Sequence, residues 1–289
     1  MKVDGMVREE RDGKIELSAH VRPRDGDEFR LWFRVPSPFG GEGLDATPFL
    51  VALLPTAMTR GEPLEMDGPV SPSMFERVDD VMRVYRSFYP DSMRAVTIDA
   101  EQAPPGPAVD TTACFFSRGV DSWYSVLAER KNPSEPRLEQ LVYVLGIDVM
   151  YEDQETERRA LAEVRRAAEI AQLELVIAET NLRTQTDRVL DWNPMHGAGL
   201  GAVALALRPS RMLTPSAYAF GELMPAGSHF ALDHRFSTER TTIEVHGEAT
   251  RLEKVLALAE WPEALAALKV CFYGNMPGNC GDCSKCIHT

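Results

Sequence analysis

The chain has 289 residues, 44% of them hydrophobic and 26% charged, which excludes a disordered tail and a disulfide-stapled miniprotein. Thirty-one Lys and Arg against 44 Asp and Glu leave a net charge of −13, which argues against broad nucleic-acid binding and against docking on anionic membranes, though a local basic patch is compatible with that total. No apolar stretch reaches the roughly 18 residues of a membrane span, and Met1 to Glu10 is charged and lacks the apolar core of a signal peptide, so a cytoplasmic protein with reduced thiols is expected.

Ile15, Leu17, Ala19 and Val21 alternate with polar neighbours, as do Phe29, Leu31, Phe33 and Val35. Period-two alternation predicts two antiparallel strands with one wet face, joined through turn residues Arg24 to Asp27. The short apolar run Phe49 to Leu54 is read as a third strand. Ser71 followed by Pro72 is a helix start, and Phe75, Val78, Met82 and Tyr85 continue it at helical spacing to Pro90. Val96 to Ile98 is read as one more strand. Gln102 to Ala108, with three prolines and a glycine, is read as a linker. Residues 1–105 are therefore expected to form a small α+β domain.

From residue 106 the rhythm changes to strand, helix, strand, helix. Ala113 to Phe116, Leu141 to Val149, Leu173 to Ala178 and Met212 to Thr214 are the predicted strands. Helices are predicted over Ser122 to Arg130, Glu155 to Gln172 and Pro194 to Leu207. This pattern predicts an α/β fold with a doubly wound parallel sheet over residues 106–289, whose ligands sit beyond the carboxyl ends of the strands.

Cys114 to Ser122 is the most informative segment. A buried strand runs into a turn with Ser117, Arg118, Gly119 and Val120, and a helix begins at Asp121 and Ser122. Backbone N–H groups at a helix start form an anion site, and hydroxyls add donors. Asp121 either caps the helix or holds Mg²⁺ beside a pyrophosphate. An ordinary capped helix fits the same residues.

The second cluster is Cys271, Cys280, Cys283 and Cys286, at spacings that can close a tetrahedral zinc shell. Gly274, Gly278 and Gly281 allow a tight backbone around an ion. An iron–sulfur cluster or redox thiols are the alternatives; full four-sulfur coordination favours structural zinc, in a knuckle over 271–289.

Ser117, Gly119, Asp121 and Ser122 resemble the Ser-Gly-Gly-x-Asp-Ser loop of the PP-loop ATP pyrophosphatases, with Arg118 in place of the first glycine. The cysteine spacing resembles the zinc site of the 7-cyano-7-deazaguanine synthases, a queuosine-pathway family of PP-loop enzymes. The resemblance spans about residues 110–289 and does not extend to the N-terminal segment. It implies a PP-loop fold that binds ATP, Mg²⁺ and Zn²⁺. The implied reaction adenylates a carboxylate or lactam oxygen of a small, purine-like heteroaromatic substrate, releases pyrophosphate, and lets ammonia displace AMP. A sulfurtransferase with Cys114 as nucleophile or sulfur carrier is the rival, against an inert core thiol. The resemblance also implies adenine and ribose contacts at Gly146, Ile147 and Asp148, and a late basic residue near the phosphates, Lys254. By residue type alone, Arg251 and Lys254 are a solvated helix face.

Thr180 and Asn181 end a predicted strand at the same crevice. His196 at a helix start, and Ser228 and His229 in a polar loop, are candidate substrate contacts, with a helix cap and plain loop chemistry as alternatives. The expected partners are a small-molecule substrate with a nitrogen or sulfur donor; a homo-oligomer is compatible with the sequence. Adenylation of a tRNA or protein, and a non-catalytic zinc and nucleotide module, are the other classes that stay open.

Overall fold

A computed structural model describes residues 1–147, 149, 154–271 and 278–289. Asp148 and Gly274 lie outside the described residues. The chain opens with β1 (Lys2–Arg11), β2 (Lys14–Arg22) and β3 (Phe29–Pro36), an antiparallel meander. The alternation holds: Ile15, Leu17, Ala19 and Val21 of β2 and Leu31, Phe33 and Val35 of β3 are buried.

The predicted strand at Phe49 to Leu54 is instead part of a helix, α1 (Thr47–Arg60). Every residue from Thr47 to Met58 is buried, so the run has no polar face to reveal a period. Local chemistry decides for helix. Pro48 sits in the first turn, and the Asp45 carboxylate accepts the Thr47 N–H at 2.9 Å. Gly61 closes the other end in a left-handed conformation, its N–H reaching the Ala57 and Met58 carbonyls. Then come β4 (Leu64–Val70), α2 (Pro72–Phe88) and β5 (Ile98–Gln102). Ser71 caps α2 as expected, its hydroxyl accepting the Met74 N–H at 3.1 Å.

The later elements are β6 (Val109–Phe115), α3 (Val120–Lys131), β7 (Leu138–Leu145), α4 (Gln154–Ala171), β8 (Glu174–Thr180), α5 (Leu182–Thr186), α6 (Trp192–Leu207), β9 (Pro209–Pro215), β10 (Thr242–His246), α7 (Arg251–Leu258), α8 (Pro262–Ala266) and α9 (Ser284–His288). The molecule is thus α/β, built on one mostly parallel ten-stranded sheet ordered β10-β9-β6-β7-β8-β3-β2-β1-β4-β5. Strands β6 to β10 are all parallel to their neighbours among themselves. β3 joins them through antiparallel pairing with β8, Phe33 opposite Thr180 and Arg34 opposite Glu179. The first 105 residues therefore add their strands to the same sheet.

Helices cover both faces. Ala113 and Phe115 pack into one core with α1, α2 and α6, while Cys114 and Phe116 pack into the other with α3, α4, α7 and α8. The chain leaves β6 for one face and returns to β9 from the other. The order therefore reverses between these two adjacent strands, and a crevice opens beyond their carboxyl ends. Among the described residues, no helix is long and apolar enough to cross a membrane.

Candidate functional site

The turn after β6 is built from its own polar groups. Ser117 Oγ accepts the Gly119 N–H at 3.3 Å, and the Gly119 carbonyl accepts the Ser122 hydroxyl at 3.0 Å. α3 then starts at Val120, with Asp121 in its first turn, and its first residues, Val120 to Ser122, line the crevice. Arg118 holds a φ of +63°, a left-handed conformation that costs a non-glycine residue about 1–2 kcal/mol. Its side chain is buried and donates to Glu163 of α4 at 3.3 Å. Burial lowers the Arg118 pKa, opposed by the Glu163 charge.

Behind the turn lies an ion pair whose lysine is buried and whose carboxylate is partly exposed. Lys254 of α7, with no exposed surface, donates to Asp121 Oδ1 at 2.9 Å and to the Ser216 carbonyl at 2.5 Å. Arg251 reaches Asp121 Oδ2 at 3.4 Å. These bonds tie α3, α7 and the end of β9 together at the strand-order reversal. Lys254 is thus not on a solvated face, while Arg251 is half-exposed.

A cleft of about 670 Å³ occupies the crevice. Phe115 to Ser122 form one wall, and Val142 to Val144, Ile147 and Val149 form the floor. Arg118, Arg159, Arg183, Arg251, Lys269 and Lys285 line it, against Asp121 as the single carboxylate among the described lining residues. In a chain of net charge −13 this gathers basic groups at one place, with Arg118, Arg159, Arg183 and Arg251 each also paired to a carboxylate, Glu163, Glu155, Asp187 and Asp121 respectively. Such a cleft attracts anions, and the α3 N-terminus adds to the attraction.

His196 lines the same cleft, its ring 5.5 Å from that of Trp192. Burial, then the charges of Arg183 and Lys285, push its pKa down to about 4, so the imidazole is neutral at pH 7. Ile147 also lines the cleft, and its carbonyl accepts Arg183 Nη1 at 2.6 Å.

Other sequence candidates lie elsewhere. Cys114 has no exposed surface and sits in the core with Trp123 and Leu213, not on the cleft. Burial raises its thiol far above the ordinary range. Thr180 and Asn181 spend their side chains on β3: Thr180 donates to the Trp32 carbonyl, and Asn181 brackets Trp32 N–H and the Arg30 carbonyl. Ser228 and His229 are held by Asp233, whose carboxylate accepts the Ser228 hydroxyl at 2.6 Å and the His229 N–H at 3.0 Å. Neither lines the cleft.

Burial raises the Asp233 pKa to about 7, against the lowering effect of those two bonds. An acid whose folded pKa exceeds its unfolded value of about 3.9 takes up a proton on folding. Its contribution is therefore complete below that unfolded value and is lost as pH rises towards 7. Thermal melts are expected to show stability falling between about pH 4 and 7, and Asp233→Asn should flatten that fall. Parallel pH profiles for the two proteins would refute the assignment.

The four C-terminal sulfurs lie within 4.8 Å of one another. Cys280 and Cys286 Sγ are 3.8 Å apart, Cys271 and Cys283 3.9 Å, and Cys283 and Cys286 3.4 Å. Four sulfurs at about 2.3 Å from a central zinc stand about 3.8 Å apart, so the donor set fits a metal such as zinc. Cys271 also lines the cleft.

No family model, no curated protein and no solved structure matches the chain at a significant level. Sequence reasoning missed Arg159, Arg183, Trp192, Lys269 and Lys285, because each comes from a different segment and they carry no shared motif.

Proposed function

We propose that the chain is a PP-loop ATP pyrophosphatase that adenylates a small substrate. The observation that carries the reading is the Ser117 to Ser122 turn, at the strand-order reversal and on a cleft lined by six cations. The α3 N–H groups, Arg251 and Lys269 neutralise the triphosphate of ATP, and Ile147 with the adjoining floor faces the nucleoside. Asp121 is the residue to hold Mg²⁺, which would supply further charge neutralisation; Lys254 positions that carboxylate. A carboxylate or lactam oxygen of a heteroaromatic substrate attacks the α-phosphorus, and pyrophosphate leaves with its electron pair. Ammonia then attacks the activated carbon, AMP departs, and the nitrogen gives up a proton to solvent. His196, being uncharged, offers hydrogen bonds and no countercharge. The buried Cys114 favours nitrogen over sulfur, since a persulfide carrier needs access to the cleft.

Incubation with ATP, Mg²⁺, ammonium and a panel of heteroaromatic carboxylic acids is expected to yield AMP and pyrophosphate. Ser117→Ala and Asp121→Asn should each slow this by about a hundredfold with the circular dichroism spectrum kept. ADP as the nucleotide product would overturn the reading. For the cysteines we propose structural zinc. Metal analysis should find about one zinc per chain; a metal-free protein with an intact C-terminal segment and four freely titrating thiols there would exclude it.

A further inference from the structure

The cysteine segment is more than an appendage, because part of the cleft wall belongs to it. Lys269, Cys271 and Lys285 all line the cleft. The Lys269 N–H donates to the Arg118 carbonyl at 3.0 Å, a direct bond to the phosphate-binding turn. Its ammonium reaches the Gly278 carbonyl at 2.6 Å. Asn279 accepts the Val270 and Cys271 N–H groups at 2.8 and 3.2 Å and donates to the Leu268 carbonyl at 2.8 Å. At the far end, Thr289 Oγ1 accepts Arg251 Nη2 at 3.2 Å, and Arg251 is also bonded to Asp121.

This segment has almost no core of its own. Among the described residues after Ala264, Val270 is the only one that is buried. α9 has five residues, too few to persist as an isolated helix in water. Hydrophobic burial therefore anchors Lys269 chiefly through its neighbour Val270, and Lys285 only through the partly buried Cys286. The four converging sulfurs can fix both, once a metal ties them, because metal binding to such a site contributes folding free energy.

We infer that a metal held by Cys271, Cys280, Cys283 and Cys286 clamps Lys269 and Lys285 onto the wall of the cleft, so that metal and nucleotide bind cooperatively. The inference rests on the nucleotide reading above and adds the regulation of that site. Coupling is reciprocal: a metal that tightens nucleotide binding must itself be tightened by nucleotide to the same degree.

The test measures Mg-ATP binding by calorimetry to zinc-loaded and chelator-stripped protein, and to zinc-loaded Lys269→Ala and Lys285→Ala variants. Stripping, and the double lysine variant, are each expected to weaken ATP by about tenfold to a hundredfold, the size of lost charge-assisted contacts. The double variant should keep its zinc. A chromogenic chelator should take zinc more slowly when Mg-ATP is present. If stripped protein unfolds, the lysine variants and the zinc-release rates decide the question. Unchanged ATP affinity in the lysine variants, with zinc release indifferent to ATP, overturns the clamp and leaves the nucleotide reading standing. Failure of the zinc-loaded wild type to bind Mg-ATP overturns the nucleotide reading, and the clamp with it.

Discussion

Lys254→Ala is expected to destabilise the protein by about 2–4 kcal/mol, towards the lower part of what breaking a buried ion pair costs, because Asp121 keeps some contact with water. Three losses combine. The Ser216 carbonyl loses its ammonium donor, Asp121 keeps only the longer bond from Arg251, and a cavity opens between α3 and α7. Lys254→Met separates these effects. It restores the apolar stem, so what remains of the loss reports the ammonium alone. The partner change Asp121→Asn completes a double-mutant cycle, in which a coupling of about 1–3 kcal/mol is expected for groups in direct contact. Urea midpoints for the wild type, Lys254→Met, Asp121→Asn and the double variant close the cycle, with Lys254→Ala measured beside them. Values within about 0.5 kcal/mol of wild type would mean that the bridge does not hold the turn.

Lys254 also marks where the sequence was legible and where it was not. Its approach to the phosphate turn was expected only from family resemblance; by residue type alone it reads as a surface lysine. Nothing local announces that a residue in α7 will meet Asp121, 133 positions earlier. The cleft cations share this problem. Arg159, Arg183, Lys269 and Lys285 are scattered along the chain, and the fold alone gathers them.

Elements whose physics is local could be read. β2 and β3 announce themselves by alternation, α2 by its Ser-Pro start, and the cysteine cluster by spacing within a short segment. α1 misled because burial on every side removes the polar face that defines a helical period. β1 was missed for the opposite reason. Its last three residues, Glu9 to Arg11, are exposed and charged, so no apolar alternation survives there. The usable signal was the turn: Asp12 and Gly13 both have positive φ, as a two-residue hairpin between Arg11 and Lys14 requires.

Gly146→Ala is expected to cost about 3–5 kcal/mol, combining left-handed backbone strain with overpacking. Gly146 has a φ of +88°, and a Cβ placed on it falls 1.8 Å from the Thr180 carbonyl oxygen. The obstacle is backbone, so no rotamer change relieves it. β7 and β8 are paired up to Leu145 and Glu179, and the methyl group would have to force their ends apart. The damage would appear at the cleft floor, where Ile147 and Val149 follow directly. Gly221→Ala is the matched control: its Cβ would meet nothing within 4 Å, and a change within about 0.5 kcal/mol is expected. The family resemblance implies another role for Gly146, a backbone contact to nucleotide, and the pair of variants separates the two accounts. The packing account requires Gly146→Ala to lower the urea midpoint strongly, whether or not ATP is present. A variant that keeps wild-type stability yet loses Mg-ATP affinity would refute that account and return Gly146 to the ligand.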